Sequence, residues 1–94
     1  RGDATAQYNL GLYYQQGSLG LTQSTTRALE YSTLAVEQGH APAQYNLGRM
    51  YRRYAIGDGV EQSYSKAREL FTKAAPQGHE NAIKALKHLD KHGL

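Results

Sequence analysis

The side chains able to do chemistry are few in this 94-residue chain, and their spacing decides what each can do. His88 and His92 stand four apart. On a helix that spacing brings two imidazoles to one face, where they could share a metal ion. Asp90, the nearest further ligand type, points to another side of the same helix, so the pair reads as surface histidines. Arg1-Gly2-Asp3 spells an integrin-binding tripeptide, yet Gly2-Asp3 recurs as Gly39-His40 and Gly78-His79, which makes it a helix start. Gly17-Ser18-Leu19-Gly20 and Gly57-Asp58-Gly59 lack the following lysine and the strand–turn–helix setting of a phosphate loop, and turn formation accounts for them. Cysteine is absent, which removes a disulfide framework, a thiolate zinc site and a cysteine nucleophile together. There is no nucleophile–base couple, no carboxylate pair and no cofactor fingerprint. The expectation is therefore no enzyme, no cofactor, no metal and no small-molecule substrate.

What remains is cationic. Eleven Lys and Arg against eight Asp and Glu give a net charge of +3. Residues 1–39 carry two basic and three acidic side chains, whereas residues 40–77 carry six basic and three acidic. Arginine forks grip carboxylates and phosphates alike, so Arg49, Arg52, Arg53, Lys84, Lys87 and Lys91 raise both an acidic protein and a nucleic acid as partners. The modest charge and the interspersed Glu61, Glu69, Glu80 and Asp90 weigh against nucleic acid. No apolar run approaches membrane-spanning length and no signal peptide is visible, so no membrane insertion is expected. The chain opens on Arg1 instead of methionine, which predicts a segment from within a longer polypeptide.

The elements that must position these groups announce themselves by repetition. Ala6-Gln7-Tyr8-Asn9-Leu10-Gly11 returns unchanged 37 residues later as Ala43-Gln44-Tyr45-Asn46-Leu47-Gly48. The block from Arg27-Ala28 to Gln38-Gly39-His40 returns as Lys66-Ala67 to Gln77-Gly78-His79, at an offset of 39. Two residues have thus been added around Tyr54-Ala55-Ile56, which marks a loop there. Each block reads as a helix. Ala43, Leu47, Met50, Tyr51 and Tyr54 share one face of a helix over 43–54. Asp3, His40 and His79 hold the start positions of the first helices, Asp3 as a good N-cap and the histidines as poorer ones. Pro42 is tolerated in a first turn. Ser24 and Ser63 are placed to cap the second helices, and Gly39 and Gly78 to end them. Pro76 predicts fraying near Ala75. Gly11, Gly48, Ala28, Ala35, Ala67 and Ala74 allow close approach of helices, with Tyr14, Tyr51, Tyr31, Leu70 and Phe71 filling between them.

The reading is an all-α, right-handed α/α solenoid of antiparallel helix pairs with about five helices, in one repeat domain over 1–94. Repeat 1 spans 2–38, repeat 2 spans 39–77, and the first helix of a partial third spans 78–94. The pattern Ala-x-x-x-Leu-Gly-x-x-Tyr, the Gly-x-Gly-Val turn, Lys-Ala, and Ala-Ala-x-Gln-Gly resembles the Sel1-like repeat, a relative of the tetratricopeptide repeat. In the third unit, Ala82 to Lys87 has lost the glycine and Asp90 stands at the tyrosine position, so that helix reads as a terminal cap or the start of a diverging segment ended by Gly93. Some Sel1-like proteins carry a disulfide in every repeat, a subgroup excluded by the lack of cysteine.

The resemblance implies a protein-interaction module, an adaptor or scaffold that presents its first helices along a concave face. On that face the sequence places Tyr45, Asn46, Arg49, Arg52 and Arg53 in the second repeat, Tyr8, Asn9, Leu12, Gln15 and Gln16 in the first, and Lys84, Ala85, His88 and Lys91 in the third. The expected partner is another protein or peptide, of acidic character, engaged by the arginines, the asparagines and the tyrosines. The competing readings are a solvated helix face, a structural subunit packed inside a larger assembly, and a nucleic-acid-binding basic solenoid.

Overall fold

The computed structural model describes residues 2–17, 20, 23–53 and 63–94, without the side chains of Thr25 and Arg53. The insertion near Tyr54-Ala55-Ile56, the Gly57-Asp58-Gly59-Val60 turn, Arg1 and most of the first glycine turn lie outside the described residues. Among those described there are five α-helices and no strand: α1 (Ala4–Gln16), α2 (Thr25–Glu37), α3 (Ala41–Arg53), α4 (Tyr64–Ala74) and α5 (Glu80–Lys91), with a 3-10 turn over Ala75–Gln77 after α4. Each helix packs on the next along the chain, α1 with α2 and α3 with α4 most extensively. The body measures 39 × 29 × 18 Å, the flattened shape of helix pairs laid side by side.

At four of the five helix starts a side-chain acceptor takes a free amide of the first turn. Asp3 Oδ1 accepts from the Thr5 amide at 3.1 Å, Ser24 Oγ from Arg27 at 3.1 Å, and Ser63 Oγ from Lys66 at 3.2 Å. His79 caps α5 in the same manner, its Nδ1 accepting from the Ala82 amide at 3.2 Å. An imidazole does this when that nitrogen carries no proton. Past the ends of the second helices, Gly39 and Gly78 take φ of 78° and 82°, the left-handed region that glycine enters without steric cost.

Pro76 shortens its helix without unravelling it. Its counterpart Glu37 is still within α2, whereas α4 stops at Ala74 and tightens into the 3-10 turn, where the missing amide breaks no α-helical bond. The expected fraying is instead an ordered turn closed by the Gly78 amide on the Ala75 carbonyl at 3.0 Å.

The core is built of small residues. Ala67, Phe71, Ala74, Ala82, Ala85 and Leu89 join α4 to α5, while Ala28, Leu47, Met50 and Leu70 join the two repeats. Gly48 receives Phe71 directly on its backbone: a methyl group there would stand 2.6 Å from the ring. Repeat 1 solves the same contact differently. Its counterpart of Phe71 is Ser32, fully buried, which lies against Gly11. The Ser32 hydroxyl has no protein hydrogen-bond partner, and neither does the buried Nε2 of His40.

A second exchange couples two positions. Leu29 and Tyr51 both pack against the inter-repeat cluster. Thirty-nine residues on, these positions hold Arg68 and Asp90, which pair at 2.8 Å. Arg68 also donates to the Leu94 carbonyl. The aspartate that breaks the sequence pattern therefore has its own partner, changed in step with it.

Candidate partner-binding surface

Helices α1, α3 and α5 hold equivalent places in the stack, and each contributes an aromatic or cationic row. Tyr8 of α1 is half-buried, its ring tilted against His40 with centroids 5.2 Å apart. Tyr45 of α3 repeats the contact with His79 at 4.9 Å and also meets Phe71 at 5.7 Å. The capping-position imidazoles thus serve as packing partners for the tyrosines. Arg49 lays its guanidinium over the Tyr45 ring at 5.7 Å, and Arg52 lies over Phe71 at the same distance. Such stacking holds an arginine's stem in place.

Tyr8, Tyr45 and Arg49 act on one another electrostatically. Burial raises the Tyr8 phenol above its ordinary value; the Arg49 charge opposes that shift and Tyr45 adds to it. These residues are therefore brought together across α1 and α3. On α5, Lys84, His88 and Lys91 are all exposed, and the rings of His88 and His92 lie 4.5 Å apart. Among the described residues, no group of three or more His, Cys, Asp or Glu is placed to hold a metal ion.

Asn46 is the correction. Expected on an open face, it is 4% exposed, with Nδ2 directed to Gln15 Oε1 at 3.4 Å. It sits three residues after Ala43 and four before Met50, both buried, so it belongs to the interface between the repeats and cannot meet a partner's backbone. Gln15 is partly buried and takes part in this contact; Asn9 is partly buried and Gln16 exposed. Tyr45 is also packed more deeply than an open face implies. The Arg53 side chain lies outside the described residues.

Sequence reasoning passed over one feature here. Gln38 donates to Gln7, and Gln77 repeats this with Gln44 at 2.9 Å, a bond within each repeat that joins the start of its first helix to the end of its second. Lys87, read in the sequence both as a cation and as the replacement of the repeat glycine, is exposed on α5. The repeat offset relates the two glutamine pairs.

Two helix pairs followed by a fifth helix, caps recurring at fixed offsets and a glycine under each second helix define an α/α solenoid of tetratricopeptide type. The Sel1 repeat model matches residues 4–40 and 41–79, and the chain belongs to the Sel1 repeat family. Such repeats generally mediate protein–protein interaction. The chain is 37% identical over 71 residues to cytochrome c oxidase assembly factor 7 of Xenopus tropicalis, and 35% identical over 71 residues to assembly factor 7A of Xenopus laevis. Both matches cover 76% of this chain, which spans only 29% of the length of these relatives. Among solved structures it superposes on a Sel1 repeat protein from Oxalobacter formigenes with a TM-score of 0.88 and 33% identity, over 97% of this chain and 36% of that one. A protective antigen of uropathogenic Escherichia coli displaying an SLR fold gives a TM-score of 0.85 and 33% identity, over 94% of this chain and 18% of that one. The all-α, right-handed solenoid is thereby established. No helix among the described residues is long and apolar enough to cross a membrane.

Proposed function

We propose that this chain is a single non-catalytic repeat domain over 1–94, divided at 38 and 77, that works as an adaptor and holds an acidic segment of a partner protein along α1, α3 and α5. The observation that carries this reading is the distribution of cations. Arg49, Arg52, Lys84 and Lys91 lie on α3 and α5 beside His88, with Arg49 and Arg52 propped on aromatic rings. The Arg68–Asp90 and Lys73–Glu69 ion pairs take their cations from α4. A partner's carboxylates would meet the arginine donors, while Tyr8, Tyr45 and Gln15 supply rigid flanking contact. The assembly-factor relatives fit a domain whose work is to hold other proteins.

The test is fluorescence anisotropy with a labelled flexible peptide rich in glutamate, at low and high salt. Replacing Arg49, Arg52 and Arg53 with glutamate together should abolish binding, and binding to the unaltered protein should weaken with salt. Unchanged, salt-independent affinity in the triple variant would refute the reading. Retention on RNA in place of the acidic peptide would move the assignment to nucleic acid.

A further inference from the structure

The outward side of the second helix differs between the two repeats. On α2 it carries Leu29, Glu30, Thr33, Leu34 and Glu37; moved 39 residues along, α4 carries Arg68, Glu69, Thr72, Lys73 and Pro76. In repeat 2 the charges are engaged within the chain. Arg68 pairs with Asp90, and Lys73 stands 3.8 Å from Glu69, one turn back on the same helix. In repeat 1 the place of that lysine is taken by Leu34, which is 43% exposed, so no cation follows Glu30 one turn on. Among the described residues, Leu29, Glu30, Thr33 and Leu34 line an open groove of about 420 Å³.

The exposure of this side follows from its register. Helix α4 has a complete repeat before it and α5 after it, and its Leu70 is buried in the cluster that joins the repeats. Even so, Glu69, Thr72 and Lys73 are exposed. Neighbouring units therefore leave these positions of a second helix to solvent. The groove on α2 shares no residue with the cationic rows of α3 and α5. Its chemistry is apolar with an acidic rim. Thr33 directs its hydroxyl proton to the Leu29 carbonyl at 2.7 Å, so none of the four lining side chains offers a donor. An extended peptide would leave its carbonyls unpaired there, whereas a helix satisfies its own backbone. Glu30 and Glu37, both exposed, stand seven residues apart on one side of α2, about 10 Å along its axis. They call for two cations at the same interval.

The geometry points to the outward side of α2 as a docking groove for a basic amphipathic helix of a partner protein. That helix seats apolar side chains between Leu29 and Leu34 and sets lysines or arginines two turns apart against Glu30 and Glu37. The inference goes beyond the adaptor reading, because it concerns another face of the stack and a partner of the opposite charge.

The probe is a labelled helical peptide of about 18 residues, with lysine at i and i+7 and leucine at i+3 and i+4. Two counterparts accompany it, one with glutamate for lysine and one with serine for leucine. At about 150 mM salt the lysine–leucine helix should bind and neither counterpart should. Leu34→Lys, which copies the exposed Lys73 of repeat 2, should weaken binding about tenfold or more. Glu30→Gln with Glu37→Gln should weaken it about fivefold and flatten its salt dependence. Circular dichroism of each variant establishes that the helices are retained. Arg49→Gln with Arg52→Gln should change this affinity by less than about twofold. Failure of the lysine–leucine helix to bind, or unchanged affinity in Leu34→Lys, would overturn the groove. Equal binding of the glutamate counterpart would overturn it as well. Self-association of the protein that Leu34→Lys abolishes would give the groove to a second copy of this chain and overturn the basic partner.

Discussion

Placing one methyl group on two equivalent glycines separates close packing from helix propensity. At Gly48 the added carbon meets three atoms of the Phe71 ring, at 2.6, 2.9 and 3.2 Å. Carbon atoms pack comfortably at about 3.5–4.0 Å, so the helices must part by close to 1 Å or the ring must move. Phe71 is fully buried among Ala67, Ala74, Ala82 and Leu89, which leaves the ring no room. Overpacking of this kind costs about 1–3 kcal/mol, and the rigidity of the site places it at the upper end. The gain in helix propensity returns about 1 kcal/mol, so Gly48→Ala should lose about 2 kcal/mol net. In a domain of this size that lowers Tm by about 10 °C. At Gly11 the nearest atom is Ser32 Oγ at 2.9 Å, the end of a rotatable side chain, with backbone atoms no closer than 3.3 Å. Gly11→Ala should therefore fall within about 1 kcal/mol of the unaltered protein, the small clash and the propensity gain nearly cancelling. Urea denaturation followed by far-ultraviolet circular dichroism measures both. Adding Phe71→Leu to Gly48→Ala should show a favourable coupling of about 1 kcal/mol or more, because the shorter side chain clears the methyl group. A Gly48→Ala protein as stable as the original, or a larger loss at Gly11, would refute the packing argument.

Ser32→Ala removes a buried hydroxyl that has no protein partner and should raise stability by about 1 kcal/mol, seen as a higher denaturation midpoint. The Arg68–Asp90 pair is exposed, its side chains 37% and 67% accessible, so Arg68→Ala should cost less than about 1 kcal/mol by chemical denaturation. The joint replacement Arg68→Leu with Asp90→Tyr, which copies Leu29 and Tyr51, should be at least as stable as the original. Spectrophotometric titration of the eight tyrosines should show a late-ionising component that Tyr8→Phe removes, since burial holds that phenol protonated above its ordinary value. Because the folded state binds this proton more tightly, its contribution to stability is intact below the ordinary tyrosine range near pH 10 and is lost as pH rises through the raised value.

The helices and their ends were legible because repetition exposed them. Ser24 and Ser63 fall at one register and cap in one way, and Gly11 and Gly48 mark where a second helix comes close. The lateral contacts were less legible, because they depend on pairs of positions far apart in the chain. Ser32 gives no sign that it replaces a phenylalanine until its counterpart is seen beneath Gly48. Asn46 looked like a surface residue by its polarity, although its register between Ala43 and Met50 placed it inward. Asp90 looked like simple divergence until Arg68 was found facing it. Of the proposed binding surface, the cationic rows could be read directly. The stacking that props Arg49 and Arg52 on Tyr45 and Phe71 could not, since it follows from the helix packing.

Tyr51 touches both apolar clusters, the one that joins the repeats and the one that joins α4 to α5. In a linear stack, stability divides into what each unit supplies by itself and what each junction adds. A side chain shared by two junctions ties their fates together: loosening α5 withdraws support from the seam between the repeats. The stack should therefore melt as one cooperative block and not peel from its C-terminal end, and a ligand that stiffened α5 would be felt two helices away.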